Sequence, residues 1–197
     1  MSRATITTRP LEVTETGHYT ELLYDDGQTD AILCCAAHGG YVEPWTTELA
    51  LELATRLPEA SCWSCLGYDA EKSPFDLWHP PSSSFNPDAY PLLGRIAERG
   101  FQTVLSIHGL ADDAVIVGGR AEHETKRQLA EALSKAVSVS VETASGGPYG
   151  GVSADNFVNW LAADGQGIQL ELGPTPRGEQ ADDIRSALEA WLAGHSG

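Results

Sequence analysis

Cations are scarce in this sequence: three lysines (Lys72, Lys126, Lys135) and nine arginines stand against 28 Asp and Glu in 197 residues, a formal net charge of −16. That shortage argues against a nucleic-acid footprint or a polybasic membrane patch, since both need clustered positive charge. Long apolar runs are missing as well. None approaches the eighteen or so residues of a membrane helix, and the stretch from Met1 to Pro10 has no apolar signal core. The expectation is a protein made in the cytosol without the usual export signal, with no nucleic-acid or membrane partner. Internal repeats and low-complexity linkers are absent too.

What is present suffices for a core. The chain is 42% hydrophobic, with five Trp, six Tyr and four Phe, too apolar for a disordered acidic polymer. Its length fits one domain over residues 1–197. Scattered acidic pairs such as Asp112-Asp113 fit either salt adaptation, in which dense carboxylates hold a hydrated surface, or an ordinary acidic cytosolic protein. Of the four cysteines, the neighbours Cys34 and Cys35 read as small core residues. Cys62 and Cys65 have C-x-x-C spacing but lack the helix N-terminus that lowers a redox thiol's pKa. On a strand they face opposite sides.

Strand and helix signals alternate along the chain. Residues 19–24 are apolar enough for an early strand or helix. Residues 31–37 form a continuous apolar run bounded by turn signals, the mark of a buried strand. Pro44 suits the first turn of a helix carrying Leu49, Leu53 and Leu57 on one face. Further strands are expected around Cys62, over 101–107, over the alternating 136–142, and over 167–172. Helices are expected near 91–100, 120–135 and 180–193, with a short one capped by Asp155. Residues 70–90 read as a long irregular stretch. The pattern predicts a single α/β domain, its central sheet mixed and largely parallel, with helices on both faces.

On that map His38 follows one strand, Glu43 closes the same loop, His108 follows a second strand, and Glu171 lies near the end of a third. Ligands in open α/β sheets bind outside the carboxyl ends of the strands. Two His and one carboxylate with an open position match the shell of a catalytic zinc, and Glu171 beside it would serve as a proton acceptor. Gly39, Gly40 and Gly109 would let backbone pass close to whatever the histidines hold. Each residue alone has a plainer reading: a loop-anchoring histidine, a helix-start glutamate, an edge charge. A carboxylate between Leu170 and Leu172 in a buried strand nevertheless needs a partner or a raised pKa.

The ordered set Ala37–Glu43 with Thr46, Thr47, Glu48 and Leu49, then Ser106–Gly109, Asn156–Asn159 and Gly167–Leu172, resembles the poly-γ-glutamate hydrolase family. Leu77–Asn86, with His79, is similar to that family's His-containing stretch before a Phe, and Val117–Gly119 also fits. The resemblance runs from about residue 31 to 173. It implies a zinc peptidase with a carboxypeptidase A-like fold, cleaving the γ-amide bonds of a capsule or exopolymer. By the same resemblance His38, Glu43 and His108 match the ligands of one zinc ion, Glu171 matches the general base, and His79 borders the site.

In one place the sequence departs from the family pattern, which carries Arg where this chain has Trp160, next to Asn159. That leaves Asn159, Arg120 and Arg177 as the candidates to meet a substrate carboxylate. Two other readings stay open: an amidase acting on another peptide or cell-wall amide, and an inactive fold serving as a virion or tail component. A phage-type hydrolase would be released by lysis or carried on the particle. The oligomeric state has no signature in the sequence.

Overall fold

The computed structural model describes residues 4–27 and 30–195. Eight strands form one sheet: β1 Thr5–Val13, β2 Gly17–Asp25, β3 Ile32–Gly40, β4 Ala60–Asp69, β5 Thr103–Gly109, β6 Ala114–Gly119, β7 Ser140–Thr143 and β8 Ile168–Leu172. Their order is β1-β2-β4-β3-β5-β8-β6-β7. The centre, β4-β3-β5-β8, is parallel throughout. Strands covered on both faces read as unbroken apolar runs, which is why residues 31–37 were recognisable. Antiparallel pairing enters at β1/β2, β2/β4 and β8/β6, so the sheet is mixed as expected.

The helices are α1 Thr46–Arg56, α2 Pro74–Trp78, α3 Pro91–Gly94, α4 His123–Ser134, α5 Phe157–Trp160, α6 Pro174–Arg177 and α7 Ala181–His195. The long ones, α1, α4 and α7, cover one face of the sheet, packing Leu53, Leu129 and Leu188 against Cys34, Cys62, Leu105 and Leu170. Short elements and loops cover the other, where Trp63, Phe85, Leu93 and Phe157 meet Leu33, Cys35, Cys65 and Val104. The cysteines thus divide between the faces as strand alternation requires. All four are free and buried, and burial pushes the Cys34 thiol up to about 12.

Several boundaries differ from expectation. Pro44 lies in the turn before α1, because the helix starts only after Trp45, held in the left-handed region at φ 75°. The cap of α5 is Asn156, not Asp155: its side chain accepts from Val158 N–H. The 136–142 strand shrinks to β7, since Ala136 and Val137 both still donate to the Leu133 carbonyl in α4's last turn. Phe101 makes only an isolated bridge to Ala162 before β5 begins. Neither β1, mostly exposed, nor β6 was marked as a strand by its pattern.

One buried carboxylate secures the loop-covered face. Glu21 of β2 is fully buried, and its Oε1 accepts from Trp63 Nε1–H at 2.8 Å and Leu93 N–H at 2.6 Å. Its Oε2 accepts from Leu92 N–H at 2.9 Å. A residue from the sheet therefore caps α3, whose own N-cap position provides no side-chain bond. Glu21→Leu strands three buried donors at about 1–3 kcal/mol each. Even at the low end, about 3 kcal/mol in total, the expected result is a Tm lowered by at least roughly 6–12 °C at about 2–4 °C per kcal/mol, followed by circular dichroism, whereas Trp63→Phe should lose less.

Candidate metal centre

Strand alternation alone would send His38 the wrong way. In β3, Ala36 packs toward the long helices and Ala37 toward the loop-covered face. Between Ala36 and Gly39 the β3/β4 register shifts: three steps along β3 match two along β4, from Ser64 to Leu66. This bulge places His38 on the same side as Ala37, with its ring 5.8 Å from Phe85 and 5.2 Å from His108. Gly39 then faces α1, where any side chain would collide with the Thr47 hydroxyl. The glycines after His38 therefore clear protein rather than ligand, contrary to the expectation from sequence.

From His38 the chain turns back on itself. Glu43 N–H donates to the His38 carbonyl at 2.6 Å, and the Glu43 carbonyl accepts from Thr46 Oγ1 at 2.8 Å. Both ends of the Glu43 main chain are thus tied, and its carboxylate points back at His38. On the neighbouring parallel strands His108 and Glu171 stand directly opposite each other in register. Ser106 and Gln169, two residues earlier, share their face. His38, Glu43 and His108 are all buried, and one ligating atom from each lies within 4.8 Å of the others.

Hydrogen bonding on the outer ring atoms decides what the inner atoms offer. His38 Nε2 lies 2.9 Å from the Pro80 carbonyl, which can only accept, so the proton is on Nε2. Nδ1 is then a bare lone pair 3.3 Å from Glu43 Oε1, with no hydrogen-bond partner of its own. At His108, Nε2 meets Ser106 Oγ at 2.9 Å, a hydroxyl able to accept its proton, and Nδ1 lies 3.5 Å from Glu43 Oε2, a buried oxygen without a partner. Lone pairs facing each other in a dry site are what a cation between them resolves. This donor set, with its outer nitrogens already bonded, fits a divalent metal.

Burial pushes the Glu43 carboxyl up, but His108, His38 and His79 around it outweigh burial and hold it well below the usual range. Burial lowers the His38 imidazole, while at His108 it is overcome by Glu43 and the pKa rises. Burial lifts Glu171 above the ordinary carboxyl range, against the pull of His108.

Glu171 faces the same cleft, of about 320 Å³, walled by Phe75 and Tyr149. Its Oε1 accepts from Gln169 Nε2 at 2.7 Å, and Gln169 Oε1 accepts from Asn156 Nδ2 at 2.9 Å. The cap of α5 thereby sets the orientation of a residue on β8. Sequence reading places Ser106, Gln169 and Asn156 within the family motifs but gives them no role, although the i−2 spacing from His108 and Glu171 marks the first two. His79 also lines the cleft: its Nε2–H donates to Glu43 Oε1 at 3.0 Å, and its ring stacks on Phe75.

The other expected residues lie outside the lining. Asn159 is fully buried, donating through Nδ2 to the Gly151 and Ser153 carbonyls at 2.7 Å each and accepting from Arg120 N–H at 3.3 Å. The Arg120 side chain is exposed. Arg177 is half-buried, with its guanidinium on main-chain carbonyls. Among the described residues no helix is long and apolar enough to cross a membrane.

The same fold and family recur in known proteins. The family described as poly-gamma-glutamate hydrolase matches residues 11–186. A bacteriophage poly-gamma-glutamate hydrolase superimposes with a TM-score of 0.76 at 21% identity, covering 93% of this chain and 92% of its own. The zinc-free form of the protein YNDL gives 0.72 at 26% identity, with 89% of each chain covered. A metallo-carboxypeptidase from Burkholderia cenocepacia gives 0.52 at 13%, over 99% of this chain and 65% of its own, and so shares the fold. No curated protein sequence matches. The chain belongs to the poly-gamma-glutamate hydrolase family, and is an enzyme of the metallohydrolase type.

Proposed function

We propose that this enzyme hydrolyses the γ-glutamyl amide bonds of poly-γ-glutamate or a similar acidic polymer, using one zinc ion held by His38, Glu43 and His108. The observation that carries the reading is the pair of unpartnered buried atoms, His38 Nδ1 and Glu43 Oε2, converging with His108 Nδ1 in a cleft that also holds Glu171. The zinc-free form of YNDL and the phage enzyme's named substrate support metal and polymer respectively. A phage relative also fits action on a polymer coat, from a virus particle or after lysis.

Zinc, when bound, supplies Lewis acidity for a carbonyl and for water. The chain's own residues do the rest. Gln169 fixes Oε1 of Glu171, leaving Oε2 to take a proton from the attacking water and deliver it to the leaving nitrogen as the C–N bond breaks and a C–O bond forms. His79, anchored on Glu43 and partly exposed, borders the substrate side. Arg120, with Asn159 beneath its main chain, is proposed to meet a carboxylate farther along the polymer.

A second reading changes only the substrate, to another peptide or cell-wall amide. It is favoured by the absence of Arg and Lys from the cleft lining among the described residues. Trp160, standing where the family pattern carries Arg, packs against the aromatic core instead.

Metal content, the effect of Glu171→Gln, linkage preference and salt dependence test these readings. Purified protein should hold close to one zinc per chain, and Glu171→Gln should keep that zinc while losing about 10²–10⁴ of kcat, the usual scale for a proton-transfer group. Undiminished hydrolysis by metal-free protein would overturn the mechanism. Amine release from γ-linked but not α-linked glutamate oligomers is expected, and the reverse preference would favour the second reading. Because a surface of charge −16 repels a polyanion, turnover of poly-γ-glutamate should rise between about 0.1 and 1 M salt, as the screening length falls from about 10 Å to about 3 Å. A steady decline would count against that substrate and against salt adaptation.

A further inference from the structure

Arg177 does something other than what its place in the sequence suggested. Its Nε–H donates to the Leu172 carbonyl at 2.8 Å, Nη1 to the Pro44 carbonyl at 2.9 Å and Nη2 to the Leu110 carbonyl at 3.2 Å. Pro44 follows Glu43, Leu172 follows Glu171, and Leu110 is two residues past His108. One planar guanidinium therefore joins the segments that leave two metal-ligating positions and the proposed base, which arise on β5, on β8 and in the turn after β3. In a chain with 28 carboxylates, these three bonds all go to neutral carbonyls.

The surroundings are built to hold it there. Arg177 ends α6, and its N–H donates to the Gly173 carbonyl. Asp113 fixes the same short helix by accepting from Thr175 N–H at 2.9 Å and Thr175 Oγ1 at 2.8 Å. The guanidinium lies against Gly109: a Cβ there would sit 2.9 Å from Nη1 and 3.0 Å from the Glu43 Cβ. Only glycine lets the arginine and Glu43 close on this stretch of main chain.

We propose that Arg177 is a positioning residue that locks Glu43, His108 and Glu171 into one mutual geometry, and not a receptor for a substrate carboxylate. The inference rests on the reading of the site as a metal centre. Three donors in a rigid fork are needed to reach three carbonyls at once, so a lysine ammonium, with one nitrogen, does not replace it.

The test compares wild type with Arg177→Ala, Arg177→Lys and Gly109→Ala. Zinc affinity is measured by chelator competition, kcat and KM on poly-γ-glutamate, and amide hydrogen exchange on the metal-free protein. In all three variants zinc binding should weaken at least about tenfold, the scale on which groups behind metal ligands act, and kcat should fall by a similar factor with KM little changed. Millimolar guanidinium should restore part of the loss in Arg177→Ala but not in Arg177→Lys. In metal-free Arg177→Ala, amides over 43–46, 109–111 and 172–173 should exchange faster while those of α4 stay unchanged.

A raised KM with zinc affinity and kcat intact would show that Arg177 meets substrate, and would overturn the proposal. So would unchanged exchange in those three segments. If Arg177→Ala does not fold, Gly109→Ala, which keeps the arginine but displaces it, must show the same losses of zinc affinity and kcat, and full retention of both would overturn the clamp. Wild type that takes up no zinc would end the metal reading, and the exchange experiment alone would then decide the clamp.

Discussion

Taking a carboxylate out of water costs several kcal/mol unless geometry and hydrogen bonds compensate. Glu43 is 5% exposed, and much of the neighbouring architecture can be understood as compensation for it. His79 donates to its Oε1, and the Nδ1 atoms of His38 and His108 face its two oxygens across the gap that a cation would fill. Its main chain is tied forward to Thr46 and back to His38. The bulge in β3 brings His38 to the correct side, and the roof carrying His79 and Pro80 is held in turn by aromatic packing, Phe75 on His79 and Tyr19 on Trp78. A buried charge facing two lone pairs needs all of these supports at once, which is why the site is better viewed as one cooperative unit than as separate ligands.

Much of this was legible in the sequence, for identifiable reasons. His38, His108 and Glu171 stood out because apolar strand runs end at or around them, and parallel strands end at a common edge. The opposite-facing cysteines followed from alternation alone. What escaped reading depends on tertiary partners. The bulge is defined by a register against β4, so nothing within residues 32–40 announces it. Gln169 gains its role from Asn156, and Arg177 from carbonyls, which carry no side-chain signature. β1 was invisible because its exposed, threonine-rich residues show no buried face. The cap of α5 falls at Asn156 and not Asp155, a distinction hidden from sequence because the two are equally good capping types.

The few cations of the chain are mostly occupied within the fold. Arg99 joins Asp25, Asp26 and Asp30, and Arg127 and Arg185 bridge acids along or between helices. The buried Lys126 ties the Gly119 and Ala144 carbonyls, and Arg177 ties three more. Little positive charge is left to attract an anionic polymer over distance. For the proposed polymer substrate, recognition would fall to short-range contacts in the cleft, with the protein's field setting encounter and local donors setting capture.

The extra residue in β3 also has a consequence for how the site can vary. Side chains on a strand follow a parity rule, and His38 reaches the loop-covered face only because one residue has been added between Ala36 and Gly39. A regular ladder threaded through the same residues would turn His38 toward α1, although every site residue would still be present in the sequence. How this short stretch pairs with β4 is thus as informative as residue identity.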